Sequence, residues 1–376
     1  MHLTKKLIMI TKFISTTRRL LVGALSFAAV GLASCEKFFE YEGDCEPHYY
    51  VSFVYDMNML YADAFGSRVS SVDLYIFDAA TDEFVGHYAE DDREVLRTKD
   101  YMMPIYVAPG KYRFVAWCGL ANNEGRYTVP DADNDEIKTL EELTAVMARQ
   151  YEARADRAFS NVNLDYNKDG EPCALYHGTI DASLPDLQGT HVYPIQLTKD
   201  TNNIIVSIWH RYGELDKDHY EIKLEYPENE SNATLHHTNA PLADENILYR
   251  PWSIRGGKLD LGDVIPGLST DESSEEVYDH PEGRYITAEI STSRLMADHN
   301  PHLVIYDTKA QTTRLDVPLI KQIKAFRSFN YSKMTDQEYL DRQDEFSVAI
   351  ILDSSWAGFE MVINGWHVMD QGDTIF

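Results

Sequence analysis

An acidic segment near the middle of the chain has the residue types and spacing that bind a hard cation. Asp165, Asn167 and Asp169 alternate and Gly170 follows, as in the first half of a calcium-binding loop, where alternate oxygen ligands wrap the ion. The twelfth position is Tyr176, which cannot supply the bidentate carboxylate of an EF-hand. The residues exclude an EF-hand, and they leave open another calcium loop or an Asx-rich turn ahead of the next strand.

Two histidine pairs could in principle bind a transition metal. They are His236-His237 and the pair His299 and His302. Neither pair has the i, i+4 helical spacing with a nearby glutamate that a zinc protease needs, and both lie among helix and strand breakers. They are interpreted as loop histidines.

Nucleophilic catalysis has little support in the sequence. Cys173 and His177 lie four positions apart and are a candidate Cys/His pair, and a core thiol beside a surface imidazole is the simpler interpretation. A phosphate-cradling glycine loop and a Gly-x-Ser-x-Gly elbow are absent from the sequence. The sequence therefore predicts no catalytic residue, no metal centre and no other cofactor, and the protein is not expected to be an enzyme.

Cys35 closes a short apolar run and is the residue best placed for covalent modification. Residues 20–33 are uncharged and follow five basic residues, which is the pattern of a secretory signal peptide over residues 1–34. The run is shorter than the roughly 20 apolar residues that cross a bilayer. Leu32-Ala33-Ser34-Cys35 resembles the lipobox of bacterial lipoproteins, in which the leader is removed and the cysteine carries acyl chains such as palmitate. Two or more such chains hold a protein stably on a membrane.

The alternative is ordinary secretion with a free Cys35. Either way the chain is exported, and Cys45, Cys118 and Cys173 meet an oxidising compartment. One disulfide with a thiol left over and three buried thiols are both compatible with the sequence, which does not choose among the three pairings.

Charge limits the possible partners. The 376 residues carry a formal net charge of −27, and the leader holds five of the 34 basic residues and no acidic one. The mature chain is therefore more acidic still. Nucleic acid is excluded as a partner, and anionic headgroups repel the surface, so membrane attachment should depend on the lipid.

Period-two alternation predicts strands in both halves. Tyr49, Val51, Phe53 and Tyr55 alternate with mixed residues. Further strands are predicted at 72–76, 111–117, 192–197, 204–208, 220–226, 285–290, 302–306, 346–352 and 359–368. Their spacing favours an all-β fold of sandwiches over alternating βαβ units. We predict a lipidated tether at 35–47, an N-terminal β-sandwich domain at 48–187 and a C-terminal one at 188–376.

Two capping boxes predict helices among these strands. Thr139-Leu-Glu-Glu142, with apolar residues at 140, 143, 147 and 151, predicts a helix that lies over a sheet. Thr335-Asp-Gln-Glu338 predicts a short helix ahead of the strand at 346. Residues 228–251 show no usable periodicity and are predicted to form a long loop.

An ordered set of short strings carries a family resemblance. The strings are Asp44-Cys45, Val51-Ser-Phe-Val-Tyr-Asp56-Met-Asn58, Ala62-Asp-Ala-Phe65, Leu74-Tyr-Ile-Phe-Asp78, Pro109-Gly-Lys-Tyr112, Trp117, Leu175-Tyr-His-Gly178, Thr292-Ser-Arg294-Leu295, Leu340-Asp-Arg342 and Ile363-Asn-Gly-Trp366. In order and approximate spacing they resemble the fimbrial anchor-subunit lipoproteins of type V pili. The resemblance covers the mature chain from tether to C-terminus.

That resemblance implies two tandem transthyretin-like β-sandwich domains and a pilus shaft subunit as partner. In such pili one chain lends a strand to a groove of the next, and shaft subunits open that groove when an arginine-specific protease removes their first strand. Here no arginine lies between Cys35 and Arg68, so the first strand should stay in place. Lys37 is the one site where a related protease could cut.

If the first strand stays, contact with the shaft must use another edge. We predict the C-terminal strand at 359–368, in which Phe359, Met361 and Ile363 alternate with more polar residues, because a terminal strand most easily leaves its own sheet. The alternative is that this segment is the last core strand.

The expected function is structural. An outer-membrane lipoprotein, exposed at the cell surface, would anchor a pilus (fimbria) and limit its length. An accessory or tip subunit of the same pilus is possible, and so is a surface glycan-binding β-sandwich lipoprotein. The last would need exposed, coplanar tryptophans, whereas single tryptophans in strands are usually core or interface residues.

Overall fold

Short strands make up most of the regular structure. The computed structural model describes residues 46–121, 126–132, 136–151, 158–160, 174–210, 213–227, 229–242, 247–259, 283–352 and 355–369. The strands are β1 (Pro47–Val54), β2 (Val72–Asp78), β3 (Phe84–Glu90), β4 (Met103–Ile105), β5 (Gly110–Cys118), β6 (Tyr127–Thr128), β7 (Thr144–Met147), β8 (Arg149–Tyr151), β9 (Ala158–Ser160), β10 (Tyr176–Leu184), β11 (Gly189–Gln196), β12 (Thr198–Lys199), β13 (Thr201–His210), β14 (Tyr220–Glu225), β15 (Thr234–His236), β16 (Ile247–Tyr249), β17 (Ser253–Leu259), β18 (Gly283–Ser293), β19 (His302–Asp307), β20 (Thr312–Pro318), β21 (Glu345–Leu352), β22 (Phe359–Ile363) and β23 (Trp366–Met369). The helices are α1 (Phe65–Arg68), α2 (Arg93–Leu96), α3 (Leu319–Asn330) and α4 (Asp336–Arg342), with 3₁₀ turns at Leu140–Glu142 and Lys217–His219. The predicted all-β fold with a few short helices is confirmed.

In the described residues these strands form five sheets. Their strand orders are β11-β1-β4, β12-β10-β5-β2-β3, β17-β18-β13-β21-β22-β23, β20-β19-β14-β16-β9-β8 and β15-β7-β6. Most neighbours are antiparallel, but β13 and β21 are parallel from Asn203 opposite Glu345 to His210 opposite Leu352. The chain between these two strands therefore crosses over instead of turning back as a hairpin.

The five-stranded sheet is buried on both faces. Leu74 and Ile76 of β2 pack in a core cluster with β1, whereas Tyr75 and Phe77 pack on the opposite face in a larger cluster with β13, β18 and β21. Trp117 of β5 joins that larger cluster and is 0% exposed. Because both faces are covered there, β2 is apolar at every position from Leu74 to Phe77 and β5 from Phe114 to Cys118.

The contacts divide the chain into two units, Met1–His48 with Asp186–Thr190, and Tyr49–Pro185 with His191–Phe376. All the side-chain contacts given below lie in the second unit. Strand β7 pairs with β15, and β9 pairs with β16, so segments before and after residue 187 share sheets. The division into domains at 187/188 stays a prediction.

The predicted helix over 139–151 is wrong. The Glu142 carboxylate does accept hydrogen bonds from the backbone N–H groups of Thr139 (2.9 Å) and Lys138 (2.6 Å), but the helix ends after one 3₁₀ turn. The chain then continues as β7, where buried Ala145 and Met147 alternate with half-buried residues. Pairing with β6 and β15 satisfies the backbone and buries one face, so tertiary pairing outweighed local helix propensity.

Other boundaries also differ from the sequence pattern. The predicted strand at 359–368 is a hairpin, since Asn364 (φ 48°) and Gly365 (φ 80°) form a turn between β22 and β23. The predicted loop at 228–251 contains β15 and β16. The helix α3 has no counterpart in the prediction. The predicted helix at 335 is confirmed as α4, whose cap Thr335 accepts a hydrogen bond from the Glu338 N–H (3.1 Å).

In the described part of the chain, no helix has both the length and the apolar character to cross a membrane.

Candidate functional site

Most of the predicted modification and cation-binding residues lie outside the described residues. This is the case for Cys35 and for the calcium-loop residues Asp165, Asn167 and Asp169. Cys45 and Cys173 also lie outside them, and so does the proposed protease site Lys37. Cys118 is described, and its thiol is free and fully buried. Burial raises the pKa of this thiol well above its usual value, so it is an inert core group.

The first strand is held on both sides. In its sheet β1 lies between β11 and β4, and Tyr49 pairs with Ile105 across the antiparallel ladder to β4. Val51 is 0% exposed and Phe53 4%. Removing this strand would expose a core face and two rows of backbone groups at once.

The C-terminal hairpin places the predicted partner residues in the core. Strand β22 is paired with β21 on one side and with β23 on the other. Met361 and Ile363 are 0% exposed, and Phe359 is half-buried with its ring against Trp356. Among the described strands of this sheet, β23 is the terminal one next to β22. The assignment of Phe359, Met361 and Ile363 as a partner strand stays a prediction.

A buried ion pair connects α4 to the end of β18. Arg294 donates two hydrogen bonds to the Asp341 carboxylate, both of 2.8 Å, and a third to the Asn239 carbonyl oxygen at 2.7 Å. Both side chains are largely buried, at 14% and 10% exposed. Since Gln337 also donates to Asp341 (2.9 Å), the carboxylate is fully engaged.

A second link joins α4 to the loop after β1. Arg342 donates to the carbonyl oxygens of Asp56 (2.9 Å) and Asn58 (3.1 Å), and its guanidinium lies 4.0 Å from the centre of the Tyr61 ring. Arg294, Asp341, Arg342, Asp56 and Asn58 all lie in strings that carry the sequence resemblance. In the structure, residues from these strings hydrogen-bond to one another and so connect segments that are distant in the chain.

Asp200 lies close to this ion pair and is 0% exposed. Burial raises its pKa to about 8, and the charge of Arg294 and the hydrogen bond with the Asn239 side chain only partly offset this. The carboxyl is therefore mainly protonated at neutral pH.

His177 is a core residue and not a surface imidazole. It is 3% exposed, and its ring lies 4.6 Å from that of Trp117. Its Nε2 donates to the His237 carbonyl oxygen at 2.8 Å. Because burial lowers its pKa to about 3, His177 stays neutral and does not have the pKa of a general base at neutral pH.

Three potential metal ligands meet at one end of β15. His236 Nε2 lies 3.0 Å from Glu141 Oε2, and His237 Nε2 lies 3.5 Å from Glu141 Oε1. The two imidazole ring centres are 3.8 Å apart. His236 and His237 are 15% and 7% exposed, whereas Glu141 is 79% exposed. Burial lowers the pKa of His237, and the hydrogen bond from His236 lowers that of Glu141.

Sequence reasoning missed this cluster. His236 ends a strand, so the interpretation as a loop pair is wrong for it. The one signal in the sequence was the His236-His237 pair, since Glu141 is 95 positions away. The other histidine pair does not form a site, because His302 pairs with Asp316 (2.6 Å) and the His299 ring packs against Tyr226.

The sequence profile of the fimbrillin-A associated anchor proteins Mfa1 and Mfa2 matches residues 41–372 of this chain. The chain belongs to this family. The resemblance read from the sequence is thereby confirmed. Membership of the anchor family gives the protein a structural, fimbria-associated role in the cell envelope.

Solved structures agree with the family assignment. A candidate adhesin from Bacteroides thetaiotaomicron is 25% identical, with a TM-score of 0.67, and the match covers 86% of this chain and 98% of that one. A candidate polysaccharide-binding protein from the same organism is 25% identical, with a TM-score of 0.64 and coverages of 87% and 99%. The fimbrial anchor protein Mfa2 from Porphyromonas gingivalis has the same fold at 17% identity, with a TM-score of 0.57 and coverages of 87% and 100%. No curated protein matches the chain.

Proposed function

We propose that this protein is an outer-membrane lipoprotein that anchors a fimbria to the cell surface and limits its length. The observation that carries the proposal is the family match, which extends over residues 41–372. The lipid would be attached to Cys35, at the end of the apolar leader. The folded part would bind a shaft subunit.

The lipid attachment is supported by the sequence before the folded part. An apolar run preceded by basic residues and closed by Leu32-Ala33-Ser34-Cys35 provides the leader and the acylation site. The acidic surface gives no attraction to anionic lipid, because the formal net charge is −27. Acyl chains on Cys35 would therefore supply the membrane affinity.

The first strand supports a terminal position in the polymer. A shaft subunit accepts a strand after losing its own, whereas β1 here is paired with two neighbours and carries core residues such as Val51. No arginine lies between Cys35 and Arg68, so an arginine-specific protease has no site ahead of β1. A chain that keeps its first strand and its lipid can end a polymer but cannot extend it from that groove.

Strand exchange with the shaft would then use another edge. Met361 and Ile363 of β22 are in the core, and β22 is paired on both sides. The backbone of β23, at the end of that sheet, is the better-placed part of the predicted C-terminal segment, because an edge strand can add a neighbour without loss of its own pairing.

Gene deletion in a piliated host tests the anchoring function. We expect fimbriae to be shed into the medium and to be longer than in the parent strain, as measured by immunoblotting of medium and cells and by electron microscopy. Complementation with the unaltered gene is the control. Fimbriae that stay on the cells at normal length would refute the proposal.

Truncation after Gly365 tests the C-terminal edge, since it removes β23 and keeps β22. We expect a protein that retains a cooperative thermal unfolding transition but releases fimbriae. Val85→Pro in β3, the outermost strand of another sheet, is the matched control and should retain them. A folded truncation that still holds fimbriae would remove β23 from the interface.

A second candidate function is glycan binding, because one structural relative is described as a candidate polysaccharide-binding protein. Two tryptophans that could stack on sugars are core residues here, since Trp117 and Trp209 are 0% and 1% exposed. Affinity gel electrophoresis with common polysaccharides distinguishes the two functions. Clear retardation would favour glycan binding.

A further inference from the structure

We propose that Glu141, His236 and His237 bind a divalent transition-metal ion, with Zn²⁺ as the expected occupant. One nitrogen from each imidazole and one carboxylate oxygen would be the protein ligands. The fourth position would be open to water, because Glu141 is on the solvent side at 79% exposed. This site is independent of the proposed anchoring function.

The distances between the ligand atoms suit a tetrahedral ion. Zn²⁺ binds imidazole nitrogen and carboxylate oxygen at about 2.0–2.2 Å, which places the ligand atoms of a tetrahedron about 3.3–3.6 Å apart. In the structure His236 Nε2 lies 3.0 Å from Glu141 Oε2, and His237 Nε2 lies 3.5 Å from the other carboxylate oxygen, Oε1, so both distances are close to this range. Ligand atoms of all three side chains lie within 4.8 Å of one another.

The fold holds the three side chains together without a metal. Strand β15 pairs with β7 in a register that sets His236 opposite Thr144, three positions after Glu141. Adjacent side chains of a strand point to opposite faces, but the chain turns after His236. The Asn239 N–H donates to the His236 carbonyl oxygen (2.8 Å), and Asn239 has a positive φ of 65°. This turn brings both imidazoles to the same side.

An ion pair alone does not account for this arrangement. A carboxylate needs one imidazole as partner, as His302 and Asp316 illustrate. Here a second ring lies 3.8 Å from the first, and the buried His237 Nε2 lies 3.5 Å from Glu141 Oε1, which is too far for a well-formed hydrogen bond. A buried nitrogen with so weak a partner costs stability, and a metal ion bound between the two groups would satisfy it.

The surroundings also orient the rings for ligation. His236 Nδ1 lies 3.2 Å from the Thr238 hydroxyl, so its Nε2 is left to face Glu141. The His237 carbonyl oxygen is fixed by the hydrogen bond from His177. Such outer hydrogen bonds are what positions histidine ligands in metal sites. Two imidazoles and a carboxylate suit Zn²⁺ better than Ca²⁺ or Mg²⁺, which prefer oxygen ligands.

The test uses the purified full-length protein after removal of metals by a chelator. Titration with Zn²⁺ by calorimetry and with Co²⁺ by visible absorption should each give one saturable site, with the strong d–d bands of tetrahedral Co²⁺. Zn²⁺ should also raise the melting temperature, since it binds the folded state. Glu141→Gln and His236→Gln should each weaken the affinity at least about tenfold, which is the scale on which even outer-sphere changes act.

His302→Gln is the matched control, because His302 also pairs with a carboxylate, that of Asp316, but no second imidazole takes part in that pair. It should leave the affinity unchanged. The Glu141 side chain is exposed, so its substitution does not disturb the core. Absence of saturable binding by the unaltered protein, or a site that keeps its affinity in both variants, would refute the proposal.

Discussion

Asp200→Asn should stabilise the protein, and the gain should grow with pH. The pKa of Asp200 is raised to about 8 in the folded state, against an ordinary value of about 3.9. Between these two values the unfolded chain releases the proton and the folded chain keeps it, so the free energy of unfolding of the unaltered protein falls as pH rises. Below pH 4 the Asp200 carboxyl is protonated in both states, so its raised pKa no longer lowers the free energy of unfolding. Asparagine does not titrate, so the variant does not lose stability in this way at any pH.

The size of this effect follows from the two pKa values. Each unit of difference corresponds to about 1.4 kcal/mol, so the gain of the variant should be on the order of 1–2 kcal/mol at pH 5 and roughly 3–5 kcal/mol at pH 7. The groups whose charges act on Asp200 are Arg294 and Asp341, and Asp200 itself acts on Cys118. Arg294 keeps its two hydrogen bonds to Asp341 in the variant, so no charge is left unpaired.

Urea unfolding followed by tryptophan fluorescence, at several pH values from 4 to 8, measures this difference. Asp307→Asn is the matched control, for which the free energy of unfolding should change in the opposite direction. Burial by itself would raise the pKa of Asp307, but hydrogen bonds from the Ala310 N–H and from Arg314 hold it below its usual value. That stabilisation is present above the unfolded pKa and is lost as pH falls, so this control should destabilise most at neutral pH. A loss of stability in Asp200→Asn at pH 7, or a gain that does not change with pH, would refute the reasoning.

Three further predictions follow from other parts of the chain. Cys35→Ser should leave the protein precursor-sized or soluble in the periplasm, as fractionation and immunoblotting would show, because acyl chains on this residue would supply the membrane affinity. Arg294→Ala should lower the free energy of unfolding by about 3–5 kcal/mol in urea titrations, because it leaves the buried carboxylate of Asp341 without its cation. Gly178→Ala should lower the same free energy by about 1–3 kcal/mol. Its Cβ would lie 2.5 Å from the carbonyl oxygen of residue 196, which must move.

A control variant or a contrary result tests each of these three predictions. Mature protein that still sediments with membranes after Cys35→Ser would refute the lipid assignment. Arg97→Ala breaks an exposed pair with Glu94 and should cost less than about 1 kcal/mol, so an equal loss in both arginine variants would contradict the role of burial. Gly86→Ala meets only a side-chain atom at 3.8 Å and should be tolerated better than Gly178→Ala.

The local sequence pattern was sufficient to predict an element where a single physical effect determined its structure. The period-two alternation of Tyr49, Val51 and Phe53 predicted β1, because one face of that strand is buried. The cap at Thr335 predicted α4, whose first turn it satisfies. The family, too, was readable from short ordered strings along the chain.

The local sequence pattern gave a wrong prediction where a strand pairs with a partner distant in the chain. The box at Thr139 closed as predicted, but pairing with β15, which begins at Thr234, turned the following residues into a strand. There the local residues allowed two structures, and packing of the sheet decided between them. The error at 359–368 has a different cause, because Asn364-Gly365 is itself a local hairpin signal that the strand prediction did not use, and both residues adopt positive φ angles.

The sequence by itself determined the all-β class and the family, and it predicts a leader over residues 1–34. These depend on neighbouring residues, whose spacing is fixed by the covalent chain. Only the tertiary structure placed Glu141 beside His236 and His237, and Arg294 against Asp341. Their contacts join positions separated by 95 and 47 residues. Such contacts depend on strand register and helix placement, which the whole core sets and no local pattern contains.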